Sequence, residues 1–163
     1  MKLLRRSGEK YELEFPIEEK ALLLHLLKLY PLVPPTYHQL TKDKKLPRRE
    51  ENQQLLDEAL AAQRALNKKE ILALMGHPER FKEADGTSKA VFTRGELEWL
   101  LQIINDIRVG SWIALGSPGY EREQKPRRGA QSTRDLIFME LAGAFEMFFL
   151  GLINGDVPPC EAA

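Results

Sequence analysis

The spacing of hydrophobic positions changes several times along the chain, and each change marks an element. Tyr11, Leu13 and Phe15 alternate with Glu12 and Glu14, the two-residue period of a strand with one buried face. Ser7-Gly8 ahead of them is a two-residue turn signal. Residues 2–15 therefore read as a hairpin, pairing Leu4 with Tyr11 and Arg6 with Glu9. Pro16 then opens a helix whose first turn holds Glu18 and Glu19, where the helix dipole favours acid. From Ala21 to Tyr30 this helix is apolar around most of its circumference, which predicts contact from more than one side. Pro31, Pro34 and Pro35 stop it.

Residues 36–49 are polar and basic (Lys42, Lys44, Lys45, Arg48, Arg49) and read as a surface loop. A second helix is predicted over 48–66, with Leu55, Leu56, Ala59, Leu60, Ala62, Ala65 and Leu66 as its stripe. Asn67-Lys68-Lys69-Glu70 has the capping-box pattern and predicts a short third helix through Met75, ended by Gly76. Asp85-Gly86 signals a turn, and Ala90-Val91-Phe92 a short extended piece. Thr93-Arg94-Gly95-Glu96 is a second capping box, starting a helix that runs to about Leu115. Residues 116–131 follow as a long loop rich in Arg, Lys, Gly and Pro, and loops of that length tend to be functional or disordered. Ser132, with Asp135 at the box position, is expected to cap a last helix that ends at Asn154-Gly155. The expected fold is mainly α: a single-domain bundle of about five helices with a small N-terminal β-hairpin, spanning 1–155, and a loose tail over 156–163.

Composition narrows the function classes. A chain of 163 residues builds one self-sufficient core, and 43% hydrophobic content excludes wholesale disorder. Lys and Arg total 24 and so do Asp and Glu, so no global field favours nucleic acid or an anionic surface; such a role needs a local patch. Cys160 stands alone, which excludes an intramolecular disulfide and a cysteine-based metal site. Met1 to Arg6 is basic but is not followed by an apolar run of signal-peptide length, so a cytoplasmic location is expected.

The last helix has membrane-spanning length from 136 to 153, but Glu140 and Glu146 lie inside it, each costing a few kcal/mol at a bilayer centre. A core helix of a soluble bundle is the better reading, with no membrane partner. There is no glycine-rich phosphate loop, no nucleophile elbow and no paired His–Glu metal helix, and His25, His38 and His77 are scattered. No catalytic residue, metal or cofactor is expected.

Two constellations remain. Arg108 lies in an otherwise apolar half-helix and needs a carboxylate partner if buried, with Glu140 or Glu146 as the candidate. Together with Asn105 and Asp106 these form a polar cluster, either a ligand pocket or an internal ion pair that fixes helix register. The second constellation is basic: Arg122, Lys125, Arg127, Arg128 and Arg134, joined by the 42–49 segment. Only Tyr120 is nearby for stacking, and Glu121 and Glu123 dilute the charge, which favours a protein partner over phosphate or nucleic acid.

Phe92-Thr93-Arg94-Gly95-Glu96-Leu97-Glu98-Trp99-Leu100, then Ile103-Ile104-Asn105-Asp106-Ile107-Arg108-Val109 and Leu115-Gly116, resembles the signature of an uncharacterised, mainly actinobacterial protein family. The order of parts is similar too: an extended piece from Gly8 to Tyr11, an acidic-led leucine helix, and an apolar closing helix. The likeness covers about residues 1–155 and departs from the family at the basic 116–131 loop and at Val109-Gly110-Ser111. The resemblance supplies no catalytic residues. It implies a gene neighbourhood shared with the adaptor of the Clp protease, hence regulated proteolysis. The function expected is that of a non-enzymatic interaction or regulatory protein. The alternatives are a nucleic-acid-binding regulator using the basic segments and, behind it, a ligand-binding protein or enzyme with a pocket near Arg108. A homo-oligomer is expected if the apolar last helix is left partly uncovered.

Overall fold

The computed structural model describes residues 1–40, 47–77, 79–117 and 130–160. The chain runs β1 (Lys2–Ser7), β2 (Lys10–Pro16), α1 (Ile17–Leu27), a 3-10 turn (Pro35–Tyr37), α2 (Arg49–Gly76), β3 (Lys82–Ala84), β4 (Thr87–Thr93), α3 (Arg94–Ala114) and α4 (Ala130–Asn154). The fold is mainly helical, with four α-helices among the described residues and not five. The second and third expected helices are one: Asn67 is an interior residue of α2 and not a cap. Its side chain serves tertiary contacts, accepting from the indole N–H of Trp99 at 3.2 Å and donating to the Tyr30 hydroxyl at 2.9 Å, and it also accepts from the Gln63 amide of the same helix at 3.0 Å. A capping-box pattern in sequence competes poorly with a helix already propagating through it.

The N-terminal hairpin is present, with a shifted register. Gly8 takes a φ of 58°, which suits the first position of a tight hairpin turn, and Ser7 pairs with Lys10. Arg6 therefore faces Tyr11, and a bulge between Leu3 and Arg5 restores Leu3 opposite Leu13. Beyond the hairpin, β4 pairs antiparallel with β2, and β3 with β4, giving a four-stranded sheet in the order β1-β2-β4-β3. The Asp85-Gly86 turn joins β3 to β4, both residues at positive φ.

Alternation decides the two faces of the sheet. Tyr11, Leu13, Phe15, Ala90 and Phe92 are buried on the helical side, while Lys2, Glu14 and Lys89 form an ion-pair ladder on the open side. Against the inner face lie Leu23, Leu26 and Leu27 of α1 and Leu97, Leu100, Ile103, Ile104 and Ile107 of α3. Phe138, Ala142, Phe145, Phe149 and Leu152 of α4 complete the core. Each fully buried leucine or phenylalanine contributes about 1.5–3 kcal/mol by leaving water. One core therefore joins the sheet to all helices except most of α2, where only Asn67 and Ile71 are buried.

Helix α3 starts as the sequence predicts. The Thr93 hydroxyl accepts from the Glu96 N–H at 3.2 Å, and the Thr93 N–H donates to the Glu96 carboxylate at 2.7 Å. Glu96 also pairs at 2.8 Å with Arg80, whose guanidinium lies 4.6 Å above the Phe92 ring. Helix α4 begins at Ala130, so Ser132 lies inside it and does not cap it. After α4, Val157 packs on the core and the Cys160 N–H reaches the Leu3 carbonyl at 2.7 Å, where the sequence suggests a loose tail.

Candidate functional site

The polar cluster expected around Arg108 divides into three parts. Asn105 is exposed. Asp106 turns to the segment after α1, its carboxylate accepting from the N–H of Leu32 at 2.6 Å and of Val33 at 3.2 Å. One turn on, Gly110 lets that segment pass against α3: a Cβ there would lie 2.4 Å from the Leu32 Cβ and 2.6 Å from its carbonyl carbon. Asp106 and Gly110 thus dock a loop, and neither is among the residues that line the α3–α4 groove.

Arg108 faces α4. Its Nε lies 3.0 Å from the Glu146 carboxylate, with the arginine side chain 48% exposed and the glutamate 12% exposed. Burial pushes the Glu146 carboxyl above the usual carboxylate range, and the Arg108 charge only partly opposes this. One Glu146 oxygen, Oε1, is buried without a hydrogen bond, consistent with a carboxylate held in a poorly solvated place. The pair sits in an open groove between α3 and α4 of about 980 Å³, which Trp112, Glu140, Gly143 and Met147 also line. Glu140 is on the groove but is not the partner of Arg108; six residues from Glu146 it points to another side of the helix.

The outer face of α4 is the feature the sequence reading underweights. Its inner positions pack in the core, yet Leu136, Ile137, Met147 and Leu150 are exposed, Met147 to 78%. Leu136, Glu140, Gly143, Met147, Leu150 and Asn154 recur at alternating intervals of four and three, the spacing of a seam that receives another helix. The pattern is in the sequence, but the inner side of the same helix is still more apolar and conceals it. Ser132–Asn154 is long and apolar enough to cross a membrane by length and composition; its most apolar 18 residues have a mean hydropathy of 1.9, and 28% of them are buried inside the protein.

Of the basic constellation, Arg122, Lys125, Arg127 and Arg128 lie outside the described residues, as do Lys42, Lys44 and Lys45. Arg134 is exposed on the first turns of α4 with its guanidinium 5.4 Å from the Phe138 ring. Arg48 and Arg49 stand at the start of α2, next to the open end of that helix. A second concavity, of about 460 Å³, lies beside the sheet between His77, Arg80, Lys82 and Lys89, with Glu12 and Val91 on its floor. His77 is the one aromatic ring among its lining residues, with no Phe, Tyr or Trp beside it. Among the described residues no three His, Cys, Asp or Glu side chains come together to hold a metal ion.

The α3–α4 groove presents a short set of chemical groups. It offers an apolar floor, one guanidinium with donors to spare, and two carboxylates, with no nucleophile beside a base. Compared with protein-family models, curated proteins and solved structures, the chain finds no match in any of the three.

Proposed function

We propose that this protein acts by binding another protein through the outer face of α4 and the adjoining α3–α4 groove, without catalysing a reaction. The observation that carries the reading is the exposed seam on α4. Met147 is 78% exposed, with exposed Leu150 one turn beyond it and exposed Leu136 and Ile137 nearer the start of the helix. Exposed apolar side chains gathered on one helix face beside charged groups mark interaction sites on soluble domains. Arg108 and Glu140 supply the polar rim that fixes a partner's orientation. The likeness of the 92–116 stretch to the actinobacterial family adds Clp-type proteolysis as the setting, on sequence resemblance alone.

Photo-crosslinking tests the reading. A crosslinking amino acid at Met147 or Leu150 should give protein adducts in the cells that express the chain, and the same probe at Val91 on the open sheet face should not. Absence of adducts from both α4 positions would remove the surface from consideration.

A further inference from the structure

We propose that the partner seated on α4 is a second copy of this chain, packed antiparallel α4 against α4 about a two-fold axis near Leu141–Ala142. This inference rests on the reading of the outer face of α4 as a protein-docking surface, and it names the occupant.

Self-complementarity carries the argument. A two-fold antiparallel pairing must bring residue i of one copy opposite residue j of the other with i and j summing to a constant. About that axis, the exposed seam pairs Leu136 with Met147 and Glu140 with Gly143, and the spacing four-three-four reads the same in both directions. Large apolar side chains then meet at the two flanks, and the acidic residue falls over the glycine. Gly143 has room for it: a Cβ there would meet only the Arg108 Cδ, at 4.0 Å.

Charge follows the same pairing. Arg108 crosses its own helix pair beside Gly143, so the Glu140 carboxylate of a second copy arrives at the Arg108 guanidinium, once on each side of the axis. Arg108 already contacts Glu146 through Nε, and a guanidinium has further N–H donors for a second carboxylate. Glu140 is exposed and has no ion pair among the described residues. Lipid would leave Glu140 unpaired in the middle of the seam, which makes a bilayer the poorer occupant. From Leu136 to Met147 the paired seam runs about 16 Å, or about three turns of interdigitation on each copy.

The full-length protein is the material for the test. Sedimentation velocity across a concentration series should show a monomer–dimer equilibrium. Met147→Glu, at a side chain exposed in the monomer, should weaken it by about tenfold or more while leaving the thermal melt of the monomer in place. Register is read with cysteines in a Cys160→Ala background. Leu136→Cys and Met147→Cys proteins, each alone, should stay uncrosslinked under mild oxidant, and a mixture of the two should form a disulfide-linked heterodimer. Crosslinking of either protein with itself, or a monomer at every concentration, overturns the proposal. A monomer that still gives photo-adducts with a different protein from position 147 overturns the second copy while leaving the docking surface standing. A monomer that floats with phosphatidylglycerol vesicles, or one giving no adducts, overturns both.

Discussion

The Asp106 carboxylate on α3 accepts the backbone N–H of Leu32 at 2.6 Å, tying together two positions 74 residues apart. It accepts the Val33 N–H as well, so a single side chain satisfies two consecutive donors of a segment that has no regular structure of its own. Replacing Asp106 with Ala should cost about 2 kcal/mol, since hydrogen bonds to a charged acceptor are the stronger kind and both donors lose it. Urea unfolding measures this, and an unchanged midpoint would show that water replaces the carboxylate at no cost.

Gly110 makes the second half of that junction. A methyl group there meets the Cβ of Leu32 and the backbone on either side of its peptide, so no rotamer change relieves the clash. Gly110→Ala should destabilise by about 3 kcal/mol, at the upper end of overpacking costs. Gly143→Ala, which meets nothing closer than 4.0 Å, is the matched control and should leave monomer stability near that of the parent.

Asn67 holds three partners in the only well-buried stretch of α2. Asn67→Leu keeps the branched shape and strands the Trp99 indole N–H and the Tyr30 hydroxyl, each half-buried. The expected loss is about 2–3 kcal/mol, accompanied by a change in tryptophan emission as the Trp99 environment alters. A loss of stability with unchanged emission would place the damage elsewhere.

Glu146 makes stability depend on pH. Its folded pKa is raised, by burial first, with Arg108 pulling the other way. The folded state then holds the proton more tightly than the unfolded one, so this contribution is fully present below the ordinary carboxylate range. It is lost as pH rises from there through the raised folded value, and is constant above it. Glu146→Gln is neutral throughout and should gain on the parent across that window, with the difference level at neutral pH. A parent that gains on the variant as pH rises would mean that the Arg108 pair outweighs desolvation.

How far the sequence speaks for itself depends on how local each signal is. The Thr93–Glu96 box was legible because both partners lie within one turn. The β2 alternation was legible because large apolar residues occupy every inner position. β4 was only glimpsed at 90–92, since its inner positions include Ser88 and Ala90, which carry no apolar signature yet are buried. The split of α2 at Asn67 failed for a different reason: a polar residue in a helix looks like a boundary until its tertiary partners are known. Arg108 announced its need for a carboxylate, but the choice of Glu146 over Glu140 rests on helix rotation across a long connection. Asp106 was grouped with Arg108 by proximity in sequence, while its partners lie on a segment that no periodicity places.

The anchoring of α2 has a mechanical side. From Arg49 to Leu66 the helix buries no residue, and it is held near its far end, by Asn67 on Tyr30 and Trp99 and by Arg64 on the Val33 carbonyl at 2.9 Å. A rod held near one end works as a lever. A tilt of about 5° at Asn67 displaces Arg49, about 27 Å away along the axis, by about 2 Å. Gln53 carries residues 38–40 with it, because its side chain holds the His38 carbonyl and the Leu40 N–H. Three hydrogen bonds within one turn of the helix, two at Asn67 and one at Arg64, thus set the position of a whole arm of the molecule.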